Sequence, residues 1–301
     1  MAAIMKHDMK AILGEDFFKE EVRSDYLISA EMKRVFTVLI DLYITFSEIC
    51  EQHGLRYYAF SGMLLGAIRH NGIIPWDDDL DVAMPRDDYN KLMEIVPKEL
   101  EYPYFLRTPY TDPDCYYSSI ALMNLSTAFI PKMFINKPFK KGILLDIFPI
   151  DNCDPETFDD DRERIYDHIM RCGSWMKRGC ENLDEIQLSK IAKYPTNDPL
   201  KEWEAINIIA SNPKYAHSKF CAVSVHTIAP RNHAIYPTSC FEKVIDHPFE
   251  SITIKIPAGY DALLKVIYGD YNTFPPISER GKKNEQIIFD PDNSYLNYCK
   301  L

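Results

Sequence analysis

The chain has 301 residues, and 45 acidic residues against 34 lysines and arginines give it a formal net charge of −11. At about 150 residues per domain, this length allows one large domain or two small ones. Hydrophobic residues make up 46% and charged residues 26%, which is typical of a globular chain with a sizeable core and excludes disordered, collagen-like and disulfide-scaffold proteins. The acidic balance also argues against nucleic-acid binding, because contact with a phosphate backbone needs a basic surface.

The cysteines and the apolar segments predict a cytoplasmic protein without a transmembrane segment. Eight cysteines are scattered without a C-x-x-C pair or a zinc-like Cys/His spacing, so we expect reduced thiols and no structural zinc. The N-terminal residues carry acids within a mildly apolar stretch and make a poor signal sequence. The longest apolar run, 35–50, contains Asp41 and Glu48, which indicates an amphipathic core helix rather than a membrane span.

Apolar periodicity, glycines and prolines divide the first half of the chain into alternating helices and strands. The predicted helices span 25–53, 63–70 and 87 to about 95. The predicted strands span 56–60, 79–84 and 142–148. Residues from about 155 to 210 have a helical and polar pattern, and short strands with proline-containing turns return from 220. This order predicts an α+β fold, with a mixed sheet flanked by helices and a mostly helical insertion or second lobe.

An acidic strand is the most informative segment of the sequence. Residues 75–84 read PWDDDLDVAM. Because side chains alternate across a strand, three apolar residues are predicted to face the core: Leu80, Val82 and Met84. The opposite face then carries three aspartates: Asp77, Asp79 and Asp81. Carboxylates on one face repel each other, and a hard divalent cation removes that repulsion, so the pattern predicts a Mg²⁺ or Mn²⁺ site.

Three other interpretations fit the pattern of this segment less well. A solvated acidic turn after Pro75 does not explain the regular Leu/Val alternation, which needs a buried strand. A calcium EF-hand is excluded, because the segment has no glycine at the sixth position and no glutamate at the twelfth. A phosphatase of the haloacid type is disfavoured. In such enzymes the first aspartate of the Asp-x-Asp pair follows a long apolar strand, whereas here Pro75, Trp76 and Asp77 precede the pair.

A Ser-Gly turn precedes the acidic strand by one predicted helix. Ser61 and Gly62 start that helix, so its free backbone N–H groups and positive dipole end make a phosphate site, and Gly62 lets a ligand approach the backbone closely. A simple N-cap is the alternative interpretation. Arg69 and His70 end the helix, and we assign them to substrate binding, with helix C-terminal capping as the alternative.

Asp146 lies inside the apolar strand 142–148 and is the natural third acid. A carboxylate in such a strand is costly unless it is paired or bound to metal. Four lysines precede it and could together hold an anionic substrate: Lys132, Lys137, Lys140 and Lys141. We assign Lys140 to substrate binding, and a solvated loop is the alternative for any single lysine.

With these elements, the sequence resembles the LicD family. The resemblance covers about 30–151 and 245–276, whereas 152–245 resembles nothing recognised. Its motifs are SGMLLGAIRHNG, IPWDDDLDVAMPR, LDIFPID and a closing pair IPAGYD and YGDY, at 61–72, 74–86, 145–151, 256–261 and 268–271. Members are similar in fold to polymerase-β-like nucleotidyltransferases and include bacterial phosphocholine transferases and fukutin-related ribitol-phosphate transferases.

The resemblance implies a metal-assisted transfer of a phospho-alcohol from a CDP-linked donor to a glycan or lipid-linked glycan hydroxyl, with release of CMP. Asp79 and Asp81 would be the catalytic metal-binding pair, Asp77 a further ligand and Asp146 the third acid. Asp146 would also orient the acceptor hydroxyl and accept its proton. Two alternatives stay open, namely nucleotidyl transfer with release of pyrophosphate, and a catalytically inactive nucleotide-binding protein.

The same resemblance divides the chain into four predicted parts. These are an N-terminal extension 1–24, a nucleotidyltransferase-like core 25–151, a mostly helical specificity region 152–245 and a C-terminal segment 246–301 that packs back on the core. Lipid-linked acceptors would bring the protein to the inner face of the membrane as a peripheral contact. No nucleic-acid partner is expected.

Overall fold

The structure is a computed structural model that describes residues 3–181, 183–226, 235–281 and 287–299. Residues 227–234 of the predicted specificity region and 282–286 of the predicted C-terminal segment therefore lie outside the described residues. Within the described part, the chain combines helices with a mixed sheet, so the α+β prediction is confirmed. The same residues include no helix with the length and apolar content needed to cross a bilayer.

The described helices and strands follow one another along the whole chain. The helices are α1 (Met9–Leu13), α2 (Ala30–His53), α3 (Ser61–His70), α4 (Arg86–Ile95), α5 (Phe158–Lys177), α6 (Glu185–Lys193), α7 (Pro199–Ala210) and α8 (Tyr260–Tyr268). The strands are β1 (Glu21–Arg23), β2 (Tyr26–Ile28), β3 (Tyr58–Ala59), β4 (Leu80–Pro85), β5 (Tyr104–Arg107), β6 (Ile120–Asn124), β7 (Ala128–Pro131), β8 (Ile143–Asn152), β9 (Phe220–Ala222), β10 (Tyr236–Pro237), β11 (Val244–Phe249), β12 (Ile252–Pro257) and β13 (Ile287–Asp290).

The long strand β8 organises the main sheet. It pairs in parallel with β4 and antiparallel with β6 along its first half, and then antiparallel with β9. β3 extends the sheet beyond β4, β5 extends it beyond β6, and β10 extends it beyond β9. Both faces of β4 and most of β8 are buried, so polar side chains on these strands lie within the protein rather than on its surface.

The helix α2 covers the sheet with a nearly continuous apolar surface. It packs against β8 and β6, and its buried residues include Val35, Leu39, Leu42 and Phe46, which recur at three- and four-residue spacing. Fully burying each such side chain contributes about 1.5–3 kcal/mol. Gly54 ends the helix in the left-handed conformation that glycine adopts most readily.

The predicted start of α2 was five residues too early. Residues 21–28 form the hairpin β1–β2, and Ser24 and Asp25 at its tip both have positive φ, as the two central residues of a type I′ turn require. Ser29 then caps α2, because its hydroxyl accepts a hydrogen bond from the N–H of Met32.

The predicted end of β8 at Phe148 was also wrong, since the strand continues through Pro149 to Asn152. Pro149 lies between the segment of β8 that pairs with β6 and the segment that pairs with β9. On that edge of β8, no described strand pairs with Pro149, so its missing N–H leaves no acceptor unpaired. A proline is tolerated in a strand at such a position.

The polar stretch 155–210 contains three helices, as its pattern predicted. α5 packs against α7 and α6, and the buried residues of α5 and α7 include Ile165, Ile169, Trp203 and Ile206. The division of the chain into four parts stays a prediction.

The ion pair between Arg23 and Glu250 stabilises the loop that leads into the acidic segment. Arg23 donates to both carboxylate oxygens of Glu250, at 2.6 and 3.1 Å, and the backbone N–H of Ile73 donates to Glu250 at 3.0 Å. The Glu250 side chain is only 8% exposed. The hairpin β1–β2, the turn before β12 and the loop after α3 are therefore held at one carboxylate.

Candidate active site

Three carboxylates meet at the start of β4. In the parallel register of β4 and β8, Asp81 lies directly opposite Asp146. Asp79 precedes β4 by one residue, and one carboxylate oxygen from each of these three aspartates lies within 4.8 Å of the others. The structure thus brings together the three residues to which the sequence assigned catalysis.

The expectation that Asp77, Asp79 and Asp81 share one strand face was wrong. β4 begins only at Leu80, and the N–H of Asp77 donates to the carbonyl of Ile74 in the preceding turn. The turn directs Asp77 into a second group with Asp78 and Asp79, whose oxygens also lie within 4.8 Å of one another. Asp79 therefore belongs to both carboxylate groups, and these two groups are the ones among the described residues that could hold a metal ion.

Burial and mutual repulsion dominate the electrostatics of this cluster. Burial, followed by the Asp81 and Asp77 carboxylates, raises the pKa of Asp79 well above its usual value. Burial, followed by Asp146, likewise raises the pKa of Asp81. The cost of holding these carboxylates ionised together falls when a cation shares their oxygens.

Asp146 is held by two neighbours that the sequence analysis did not single out. Ser119 donates its hydroxyl to Asp146 Oδ1 at 2.8 Å, and a guanidinium nitrogen of Arg107 lies 3.7 Å from the same oxygen. Burial raises the pKa of Asp146, while Arg107 and Ser119 act in the opposite direction. No local pattern marks either residue, because each reaches Asp146 only through the pairing of β5, β6 and β8.

The Ser-Gly turn contacts the acids directly. Hydrogen bonds from the Gly62 backbone and the Ser61 side chain lower the pKa of Asp81. Ser61 has a φ of 46°, an uncommon conformation for a residue with a side chain. A Cβ atom at Gly62 would lie 2.6 Å from Asp77 Oδ2, so glycine leaves room for a carboxylate as well as for a ligand at this turn.

Arg69 and His70 lie in an aromatic cluster beside the acids. Arg69 donates to the carbonyl of Tyr271 at 2.9 Å, and its guanidinium lies 4.9 Å from the centre of the Phe274 ring. His70 stacks on Phe274 and meets Trp76 edge-on. Burial and the neighbouring Arg69 lower the pKa of His70 to about 4. His70 therefore contributes an uncharged ring near neutral pH.

A cavity of about 620 Å³ connects this cluster with the acids. The first predicted substrate contacts on its wall are Gly62 and Arg69, and Asp77 and Trp76 lie beside them. The lining also includes residues that follow α8: Tyr271, Thr273, Phe274 and Pro275. The Tyr268 hydroxyl lies 3.2 Å from Ser61 Oγ, so the C-terminal motif of the resemblance lies at the same site as the first motif.

The four lysines before β8 do not act as one group. Lys140 lines a separate cavity of about 200 Å³ together with Asp146 and Arg107. The Lys141 ammonium is buried and donates to the backbone carbonyls of Lys137 and Phe139. Lys132 lies on the wall of a different cavity. Of the four, Lys140 and Lys141 line the cavity that contains Asp146, and the Lys141 ammonium is already hydrogen-bonded to backbone carbonyls.

Comparison with known protein families first gives the class of the domain. Residues 54–151 match the family model described as LicD/FKTN/FKRP, nucleotidyltransferase domain. That segment contains the Ser-Gly turn, both carboxylate groups and Asp146. The resemblance to the LicD family is therefore confirmed.

Individual relatives extend the likeness beyond this domain. The lipopolysaccharide cholinephosphotransferase LicD of Haemophilus influenzae is 26% identical, over 79% of this chain and 90% of that protein. The uncharacterized protein RP689 of Rickettsia prowazekii is 31% identical, over 32% of this chain and 34% of that protein. The human ribitol 5-phosphate transferase FKRP is 40% identical over a shorter stretch, 16% of this chain and 10% of that protein.

Proposed function

We propose that this protein is a phosphotransferase that moves a phospho-alcohol, such as phosphocholine, from a CDP-linked donor to a glycan hydroxyl and releases CMP. The observation that carries the proposal is the meeting of Asp79, Asp81 and Asp146 within 4.8 Å at the start of β4. The similarity to a lipopolysaccharide cholinephosphotransferase over most of both chains supports this reaction class. The shorter match to a ribitol 5-phosphate transferase supports it independently.

The donor set fits a hard divalent cation, Mg²⁺ or Mn²⁺. Every candidate ligand atom is a carboxylate oxygen, the type that these ions prefer. Burial, followed by the neighbouring carboxylates, raises the pKa values of Asp79 and Asp81, and a bound cation would offset both effects. Asp77, Asp79, Asp81 and Asp146 would hold the metal, which when bound supplies charge neutralisation for a diphosphate.

The protein's own groups account for the positioning of both substrates. Gly62, at the N-terminus of α3, and Arg69 line the larger cavity, and we assign the diphosphate of the donor to that side, next to Ser61. Asp146 orients the acceptor hydroxyl and accepts its proton, while Ser119 fixes its carboxylate. Phosphoryl transfer depends mainly on such alignment and on charge stabilisation.

A product assay tests this proposal. The purified protein is incubated with Mg²⁺, lipopolysaccharide and, in turn, CDP-choline, CDP-ribitol, CDP-ethanolamine and CDP-glycerol, and the nucleotide product is identified. We expect CMP together with a modified acceptor, and we expect neither from the Asp79→Asn variant. No CMP from any of these donors, with the protein folded, would contradict the proposal.

Nucleotidyl transfer is the second candidate, because the matched domain is described as a nucleotidyltransferase domain. The same site would then join a nucleoside monophosphate to an acceptor and release pyrophosphate. Incubation with CTP, ATP, GTP or UTP distinguishes the two reactions, since pyrophosphate appears only in this case.

A further inference from the structure

A small cavity beside Asp146 has three cationic residues on its wall: Arg107, Lys140 and Lys141. It measures about 200 Å³, and Arg107, Ser119, Lys140 and Asp146 are among its lining residues. We propose that this cavity is an oxyanion subsite that takes a phosphate or carboxylate group of the acceptor. The assignment to the acceptor rests on the proposed function, whereas the binding of an anion does not.

Arg107 is the first observation that supports an anion here. The residue is 6% exposed, and its guanidinium lies 4.6 Å from the centre of the Tyr117 ring. Its 3.7 Å approach to Asp146 is longer than a hydrogen bond, and within the described part of the chain no hydrogen bond from its side chain is found. The guanidinium therefore has donors left for a ligand in the cavity that it lines, and a phosphate or carboxylate matches its planar fork.

Lys140 supplies the second positive charge. Asp112 fixes its backbone, since Asp112 Oδ2 accepts the Lys140 N–H at 2.8 Å. The Lys140 ammonium lies 4.5 Å from the centre of the Phe105 ring, and the residue lines the same cavity as Arg107. Lys141 lines the cavity as well, but its ammonium donates to the carbonyls of Lys137 and Phe139. Arg107 and Lys140 are therefore the cations of this wall that we assign to the ligand.

The charge of the cavity decides which chemical class it fits. Aromatic walls alone, here Tyr117, Phe129 and Phe139, would also suit a quaternary ammonium group. Three cationic residues against one carboxylate, Asp146, on the same wall oppose a positively charged ligand and favour an anion. A choline group is therefore not the expected occupant of this cavity.

The position of the cavity favours the acceptor over the donor. The larger cavity contains Gly62, Arg69 and Asp77 on its wall, whereas the small one contains Asp146. In the proposed function the donor diphosphate occupies the α3 side and Asp146 meets the acceptor hydroxyl. An anionic group elsewhere on the acceptor would then reach Arg107 and Lys140.

Titration with inorganic phosphate tests the anion site without the metal. Calorimetry is carried out in EDTA on an Asp79→Asn/Asp81→Asn background, so that phosphate cannot bind through a cation at the acids. We expect saturable binding that Lys140→Gln weakens about tenfold, the loss expected for one charge-assisted hydrogen bond. Lys140→Arg should retain the affinity. Lys132→Gln, a charge removal in the same segment but on a different cavity, should leave it unchanged.

Two outcomes overturn the anion site, namely no phosphate binding to the folded protein or equal affinity in Lys140→Gln and Lys132→Gln.

Steady-state kinetics then tests the acceptor assignment, for which Lys140→Gln should raise KM for the acceptor and leave KM for the donor unchanged. A rise confined to the donor overturns it. Failure of the proposed function has a different signature, because CMP release would be absent while Lys140-dependent phosphate binding persisted.

Discussion

Asp81 and Asp146 lie side by side because β4 and β8 are parallel neighbours in a register that places the two residues opposite each other. A shift of either strand by one position would turn one carboxylate to the other face of the sheet. Both strands are largely buried, so the hydrophobic core fixes this register and thereby the distance between the two acids.

The carboxylate cluster predicts a stabilising response to divalent metal. A cation that binds only the folded state adds about 1.4 kcal/mol to the free energy of unfolding at ten times its dissociation constant. We expect Mg²⁺ or Mn²⁺ to raise the thermal midpoint of the wild-type protein in a differential scanning fluorimetry experiment.

The Asp79→Asn/Asp81→Asn variant is the control for this response. Removal of two repelling carboxylates should raise its midpoint in EDTA above that of the wild-type protein, and Mg²⁺ should add nothing further. A Mg²⁺ response of equal size in both proteins would show that the metal binds elsewhere.

Charge removal at Asp146 should abolish transfer without unfolding the protein. Asp146→Asn keeps the size of the side chain and should lower kcat at least about a hundredfold, since several kcal/mol of charge stabilisation is lost. Asp87→Asn is the matched control, because Asp87 belongs to the same acid-rich segment but is exposed at the start of α4. Equal activity of the two variants would exclude Asp146 from the reaction.

Gly62→Ala should disturb the site through Asp77. The new Cβ atom would lie 2.6 Å from Asp77 Oδ2, so the carboxylate or the turn must move, and a misplacement of about 1 Å costs about a hundredfold in rate. Gly173→Ala lies in α5 with no atom within 4 Å of the new Cβ. That control should keep full activity and gain about 0.5–1 kcal/mol in free energy of unfolding. Full activity of Gly62→Ala would rule out this steric requirement.

His70 should make the protein less stable in weak acid. Its pKa falls from the usual 6.5 to about 4 in the folded protein, first because of burial and then because of Arg69. Between these pH values the unfolded chain binds a proton that the folded chain does not. The free energy of unfolding therefore falls as the pH drops from 6.5 to 4, by about 1 kcal/mol after allowance for the exposed part of the ring.

Denaturant unfolding at pH 7 and pH 4.5 measures this effect. His70→Phe keeps an aromatic ring against Phe274 and removes the titrating group, so its stability should change less between the two pH values. His217→Phe, at an exposed histidine, should retain the wild-type dependence. An unchanged dependence in His70→Phe would assign the acid sensitivity to other groups.

Glu250→Gln should destabilise the loop that carries the acidic segment. The change removes one of the two carboxylates that pair with Arg23, which is 19% exposed, and leaves Glu21 as the other. Loss of such charge-assisted hydrogen bonds costs about 1.5–3 kcal/mol. Glu15→Gln, in a pair with both side chains more than two-thirds exposed, should cost less than about 1 kcal/mol. Chemical denaturation measures the free energy of unfolding of both variants. An equal loss in the two would argue against a stabilising role of Glu250 in this loop.

The amino-acid sequence by itself determined the parts that depend on local pattern. The spacing of apolar residues predicted α2 and the alternation around Asp81 predicted a buried strand, because a helix or strand repeats its buried face at a fixed period. The Ser61–Gly62 turn, the concentration of acids at 77–81 and the isolated Asp146 in an apolar strand were visible for the same reason. These features sufficed to select the three acids that meet in the structure.

Only the tertiary structure decided which of these residues share a site and which other side chains they contact there. Asp77 does not share the strand face of Asp81, because β4 begins only at Leu80. Lys140 and Lys141 line one cavity, but the Lys141 ammonium donates to backbone carbonyls. Arg107 reaches Asp146 across two strand pairings. Periodicity specifies which face of an element is buried, but the partner of that face depends on contacts between distant segments, which no local pattern encodes.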